Sequence, residues 1–267
     1  MNDFFHSAQY TEQSIGTFPF GQSVRKVIQT DRTPKKVFVL GVYASAVHAC
    51  WKNTRNKTIV NALAVSSEPY IFWRGDNVES ILQKIEIPEK IGVLVPPDKQ
   101  FNGPSGLALD DLILHSLGLD RSQAWLCDLI SHSCINPGQQ QAIQREYLPL
   151  QYKYNLPPPS VPSVPTKLSD EKRRNQIFAE IIQSRADILI LLGDKPVQWF
   201  LKFYDNRWKR LSDFGITDEL YGNLHTTKLN HIDLKILPLA HPRQIAKLGK
   251  SSDSWYRAHQ NWLKKCQ

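Results

Sequence analysis

The chain has 267 residues, 41% of them hydrophobic, and a formal net charge of +8. That length and apolar content suit one large α/β domain or two small ones, and the positive balance favours polyanionic partners such as nucleic acid. No apolar run reaches the roughly 18 residues that a membrane-spanning helix needs, and "MNDFFHSAQYTEQ" at the start lacks the basic flank and apolar core of a signal peptide, so a cytoplasmic protein is expected.

In chain order, the first strong strand is "KVFVLGVY", bounded by Pro34 and a glycine turn at Gly41. Residues 51–100 read as an insertion in which "WKNTRNK" and "EPYIFWRGDN" interleave basic and aromatic side chains. That pattern suits a grip on a nucleic-acid strand. It equally suits a loop and an extra strand pair with Phe72 and Trp73 packed inside. "IGVLV", before Pro96 and Pro97, reads as a further strand of the sheet.

Pro104 and Ser105 then open a helix in which Leu109, Leu112, Ile113 and Leu117 recur at helical spacing and Gly118 supplies the C-cap. "AWLCDLI" is a strand, and "SCINPGQQQAIQREY" a turn followed by a helix. The proline-rich "LPPPSVPSVP" at residues 156–165 is a stiff surface loop, because proline lacks the donor that helix and ladder need. Ser169 begins the helix "SDEKRRNQIFAEIIQSR", whose "EKRRNQ" reads as a solvated face. "ADILILLG" and "LKILPLAHP" are strands, and "SDSWYRAHQNWLKK" an amphipathic helix with Trp255 and Trp262 in the core. Apolar β-branched runs separated by helical patterns predict a three-layer α/β/α fold with a central, mostly parallel sheet of about four or five strands. Residues 1–267 are expected to form one domain.

The four cysteines show no CxxC pair, and His132 beside Cys134 offers only two ligands, so no metal or iron-sulfur cluster is expected. Ligands of open parallel sheets bind beyond the carboxyl ends of the strands. Three such ends carry polar or special residues: Gly41 to Ser45, Asp128 to His132, and His241 to Gln244. A fourth, Gly193 with Asp194, has a glycine that permits close backbone approach and a helix start suited to phosphate, with Asp194 as the alternative N-cap.

"FNGPSGLALDDLILHSLGLDRSQAWLCDLI" resembles the Phe-x-Gly-x-x-Gly motif, leucine-rich helix with an acidic residue, Gly-Leu-x-Arg and base-reading strand of the uracil-DNA glycosylase superfamily. It looks closest to the iron-sulfur branch, although the cluster cysteines are missing. His241-Pro242 matches the second family motif, and Gly41 sits where the first belongs. The resemblance runs from about Val37 onward and implies a base-flipping DNA glycosylase that needs no cofactor or metal and acts as a monomer on single- or double-stranded DNA.

By position, the resemblance implies that Phe101 stacks under the flipped base, with Gly41 and Val42 beside it. His241 donates to the departing base as charge develops there. Ile245 becomes the wedge filling the vacated stack, and Arg243, Gln244, Lys247, Gly193 and Ser45 contact the DNA. Two positions depart from the family. Tyr43 stands where a water-positioning Asp, Asn or Glu is usual, leaving Ser45, His48 or Asp128 to orient water. Asp128 stands where Asn pairs with uracil, so either it is protonated in a dry pocket or the base differs from uracil. A catalytically silent nucleic-acid-binding module on the same fold is the alternative. An enzyme acting on free nucleosides is a third possibility, less suited to the net charge.

Overall fold

Strands buried on both faces need mostly apolar side chains, and the chain supplies four such runs that align side by side. The structure, a computed structural model, describes residues 15–215, 217, 219–248 and 253–266; the opening "MNDFFHSAQYTEQ" lies outside them. A short ladder of β1 (Gly16–Thr17) and β2 (Ser23–Val24) precedes β3 (Val37–Tyr43), β4 (Ala46–Lys52) and β5 (Thr58–Ser67). Helix α1 (Val78–Leu82), β6 (Val93–Val95), α2 (Pro104–Leu109) and β7 (Ala124–Ile130) follow. Next come α3 (Pro137–Ala142), α4 (Leu148–Tyr154), α5 (Glu171–Ser184), β8 (Ile188–Leu192) and α6 (Asp194–Trp199). The hairpin β9 (His225–Leu229) and β10 (Ile232–Leu239), α7 (Pro242–Ile245) and α8 (Asp253–Cys266) complete the order.

The central sheet has five strands in the order β7-β3-β8-β10-β9, parallel except for the β9–β10 pair. Alternate residues of β3 feed two cores. Val37 and Val39 pack with Leu109, Ile113 and Trp262 on one face. Phe38 and Leu40 pack with Ile177, Ile181 and Phe200 on the other. This is a three-layer arrangement with helices on both sides of the sheet.

A second, antiparallel sheet of order β5-β4-β6 holds its own core, where Trp51, Leu63 and Trp73 meet Phe20 and Tyr147. "IGVLV" therefore belongs to this second sheet, and the fifth central strand is β9. Its sequence "HTTKL" alternates polar and apolar because one face of an edge strand stays wet. The insertion packs inward, with Trp73 buried and its indole N–H donating to Asp76 O. The proline-rich loop runs as expected without regular structure, but Leu156 and Val161 plug the second core and Pro162 O accepts from Ile135 N.

Other expectations shift in detail. Gly41 is not a turn, since β3 runs through it to Tyr43. The helix opened by Pro104 loosens to a π turn over Asp110–Leu114 and ends at Gly118, whose φ of 67° suits glycine. Helix α5 is capped by Asp170 rather than Ser169. Arg173, expected on a solvated face, reaches back to donate to the main-chain oxygens of Asp128 at 2.6 Å and Leu129 at 3.0 Å. Ser252, the expected start of the last helix, lies outside the described residues, and Trp262 is buried as expected. Among the described residues no helix is long and apolar enough to cross a membrane.

Candidate active site

Parallel pairing sets Gly41 of β3 directly opposite Asp128 of β7. A Cβ on Gly41 would stand 2.3 Å from Asp128 Oδ1 and 2.6 Å from Phe72 Cζ. The glycine therefore serves as space: without it the carboxyl and the ring could not meet over the strand.

Above this point, at the carboxyl ends of β3, β7 and β10, lies a cavity of about 630 Å³. That is within the size range of small-molecule sites. It is lined by Val42, Tyr43, Ser45, His48, Phe101, Asp128, His241 and Arg243, so eight of the residues to which the resemblance gives a role converge. Phe72 and Trp73 of the insertion, Thr166 at the end of the proline-rich segment, and Lys195 of α6 complete its rim.

Phe101 is held by its neighbours. Asn102 exchanges two hydrogen bonds with the His48 backbone, at 2.8 and 2.9 Å, which clips the Phe101 loop to β4. Gly103 has φ 75° and lies so close to the insertion that a Cβ would stand 2.0 Å from Arg74 C; one on Gly106 would stand 2.2 Å from Phe72 O. The two glycines of "FNGPSG" thus press the segment that carries Phe101 against the segment that carries Phe72.

His241 caps α7. Its Nδ1 accepts from Arg243 N at 3.2 Å, and Gln244 Oε1 accepts from His241 N at 3.2 Å, a reciprocal capping box. Because Nδ1 is an acceptor, the ring proton resides on Nε2. Burial, then the Arg243 charge, lowers the His241 pKa to about 4, so the ring is a neutral donor at physiological pH.

Behind His241 runs a saturated buried chain. Ala240 N donates to Tyr221 Oη at 3.0 Å, Tyr221 Oη meets His259 Nδ1 at 2.9 Å, and His259 Nε2 meets Leu112 O at 2.8 Å. The only tautomer satisfying all three has Tyr221 donating to Nδ1 and Nε2 donating to Leu112 O. Tyr221→Phe strips two buried partners at once and should lower stability by about 1–3 kcal/mol, read as a lower midpoint in urea denaturation. An unchanged midpoint would show that the chain does not brace the end of β10.

Several expected contact residues point elsewhere. Ile245 is fully buried in the first core with Ala108, Leu109 and Leu239 and is no wedge. His241 is the non-helical N-cap of α7, so the helical spacing does not carry its direction on to Ile245, which packs into the core. Gln244 is engaged in the cap. The Gly193 N–H donates to Leu239 O at 2.8 Å, so it is not free for phosphate; its φ of +86° suits glycine, and a Cβ there would stand 3.2 Å from His241 Cβ. Asp194 is not the cap of α6 but accepts from Leu211 N at 2.7 Å. Lys247 is exposed and lies 4.3 Å from the Tyr256 ring centre, and Arg243 is exposed at the rim.

The electrostatics centre on buried groups. Asp128 is 4% exposed, and burial raises its pKa to about 7, against the Arg173 charge and a bond from Val42 N–H. Burial and then the neighbouring Asp128 raise Glu68 to about 8, opposed by the N–H groups of Ser45 and Trp73 and by Arg121. Burial lowers His48 to about 4, and its Nδ1 has no hydrogen-bond partner among the described residues. Burial also raises Tyr43, so the phenol stays protonated. Glu68 is the site residue that the sequence does not announce: an acid between Ser67 and Pro69 reads as part of a turn.

The Asp128 shift has a thermodynamic consequence. Its folded-state value lies above its ordinary 3.8, so its stabilising contribution is full below that value and is lost as pH rises through about 7. Asp128→Asn has no proton to lose. The melting temperature of the variant relative to wild type should therefore climb between pH 5 and pH 8, and parallel melting curves over that range would contradict a buried, protonatable Asp128.

No protein-family model matches the chain, and no curated protein matches it.

Proposed function

We propose that this protein is a DNA glycosylase that draws a damaged or modified base into the cavity at the strand ends and hydrolyses its N-glycosidic bond. The observation that carries the proposal is His241: a neutral imidazole whose Nδ1 is committed to a helix cap, leaving Nε2–H as the donor, in the same cavity as Phe101 and Asp128. The resemblance to the uracil-DNA glycosylase superfamily from about Val37 onward adds the order of motifs.

In this mechanism the base stacks on Phe101 and presents its polar edge to Asp128. A neutral carboxyl offers one donor and one acceptor, as an asparagine amide does. It can pair with the N3–H and O4 of uracil or with N3 and the exocyclic amino group of cytosine. As the C1′–N bond lengthens, negative charge collects on the base, and Nε2–H of His241 stabilises it as an oxyanion hole would. Arg243 and Lys195 at the rim suit the flanking phosphates.

The test is abasic-site formation on labelled oligonucleotides carrying uracil, hypoxanthine, xanthine or modified cytosines, with His241→Ala as control. Cleavage of one base that vanishes in the control supports the glycosylase. Absence of cleavage on every oligonucleotide, with binding that weakens steeply in salt, favours a silent nucleic-acid-binding module. The protonated Tyr43 phenol at the strand end is the observation on that side.

A further inference from the structure

Resting on the glycosylase reading, we propose that Glu68 is the catalytic residue that holds and deprotonates the attacking water, the task Tyr43 is chemically unsuited to perform. Ala46 pairs with Ser67 across the β4–β5 ladder, which brings Glu68, one residue further on, to the level of Ser45 in the link between β3 and β4. The Glu68 carboxyl lies near the backbone N–H groups of Ser45 and Trp73, on two separate segments of the cavity wall. The residue is 4% exposed, and among the described residues no cation forms an ion pair with it, Arg121 being committed to Asp110 and to main-chain oxygens.

Glu68 is also shared by two cavities. One face borders the cavity that holds Phe101, Asp128 and His241; the other borders a second cavity of about 550 Å³ lined by Gln29, Ser67, Tyr70 and Arg121. A base seated in the first cavity closes it to solvent from the front, and the second cavity still leads water to the carboxyl.

Asp128 is less suited to the task, because its carboxyl lies over Gly41 against the Phe72 ring, where the base edge is read. The charged and titratable groups around Glu68 are Asp128 on β7, Arg121, His48 and Tyr43 on the first cavity's wall, and Arg25, Lys26, Tyr70 and Lys84 lining the second. A sugar cation arriving among them favours the ionised form of Glu68.

The step balances. The C1′–N bond breaks and its electron pair leaves with the base, which accepts a hydrogen bond from His241. The water oxygen bonds to C1′ and one water proton passes to Glu68. That proton then goes to the departing base or to solvent, leaving an abasic sugar.

The experiment needs neither the identity of the base nor turnover. Affinities of wild type, Glu68→Gln and Glu68→Asp are measured by fluorescence anisotropy for two DNA duplexes, one carrying a cationic pyrrolidine abasic analogue and the other a neutral tetrahydrofuran analogue. Wild type should prefer the cationic duplex, Glu68→Gln should lose about thirtyfold or more of that preference with unchanged affinity for the neutral one, and Glu68→Asp should recover part of it. Unchanged affinity for the neutral duplex also shows that the variant is folded. A preference that survives in Glu68→Gln, or is missing in wild type that binds both analogues above undamaged DNA, overturns the role of Glu68 alone. Wild type that binds neither analogue above undamaged DNA overturns the glycosylase reading and this inference with it.

Discussion

His241→Ala is expected to slow base release about 10²–10³-fold, the usual loss when one donor to a developing oxyanion is removed. The effect should fall on the chemical step, measured as the single-turnover rate of abasic-site formation on whichever oligonucleotide the panel identifies. Affinity for the uncleaved oligonucleotide should change little, because the donor matters most once charge has moved onto the base. The side chain has a second duty, since Nδ1 accepts from Arg243 N and caps α7. Losing a cap lowers stability by about 1 kcal/mol, too little to imitate the catalytic loss.

His241→Asn separates the two duties. Asparagine is a good N-cap and carries an N–H donor, so it should restore stability fully and rate only in part. The His241 contribution should also be flat with pH above about 5: its folded pKa is about 4, so the ring is already neutral there. A rate that fell with deprotonation near the ordinary histidine value of 6.5 would mean that a charged imidazolium does the work, contrary to the cap geometry. An unchanged rate in His241→Ala would remove the residue from the mechanism.

The central sheet was legible in the sequence because a parallel strand covered on both faces is apolar along nearly all its length, as "VFVLGVY", "AWLCDLI" up to Asp128, "ILILL" and, beyond the exposed Lys235, "ILPL" of β10 are. The edge strand β9 was not, because one face is wet and "HTTKL" offers too few apolar residues. Its one signal was Asn230, which takes φ 53° in the tight turn to β10. "IGVLV" could be recognised as a strand but not assigned to a sheet, since pairing depends on partners distant in sequence.

The site follows the same logic. Asp128 and His241 stand out because a polar residue ending a buried run needs a reason. Glu68 and Arg173 do not, because acids beside proline and arginines in a charged helix are ordinary on surfaces, and only tertiary packing buries them. Ile245 shows the reverse error. Four residues beyond His241 suggested a protruding tip, but the short helix that His241 caps turns that position into the core.

Arg121→Ala should be the most damaging single replacement outside the cavity. The guanidinium donates from Nε to both oxygens of Asp110, at 2.7 and 2.9 Å, and from its two terminal nitrogens to Ile71 O at 3.2 Å, Phe72 O at 2.5 Å and Gly106 O at 3.3 Å. The Asp110 side chain is 7% exposed, and Arg74 reaches it only at 3.5 Å. Truncation therefore leaves a buried carboxylate almost unpaired and strips a donor from three main-chain oxygens. Breaking a buried pair in this way costs about 3–5 kcal/mol, a large share of the roughly 5–15 kcal/mol that folds a domain. The midpoint of thermal unfolding should fall by about 10 °C. Arg121→Lys keeps the charge but not the planar fork, so it should still pair with Asp110 while releasing the Ile71 and Phe72 carbonyls. Because the Phe72 ring borders both the cavity and the Asp128 carboxyl, this variant should recover much of the melting temperature and little of the base-release rate. Equal recovery of both would mean that Arg121 stabilises the fold without setting the position of Phe72, and a midpoint in Arg121→Ala within a degree or two of wild type would show that the Asp110 pair contributes almost nothing.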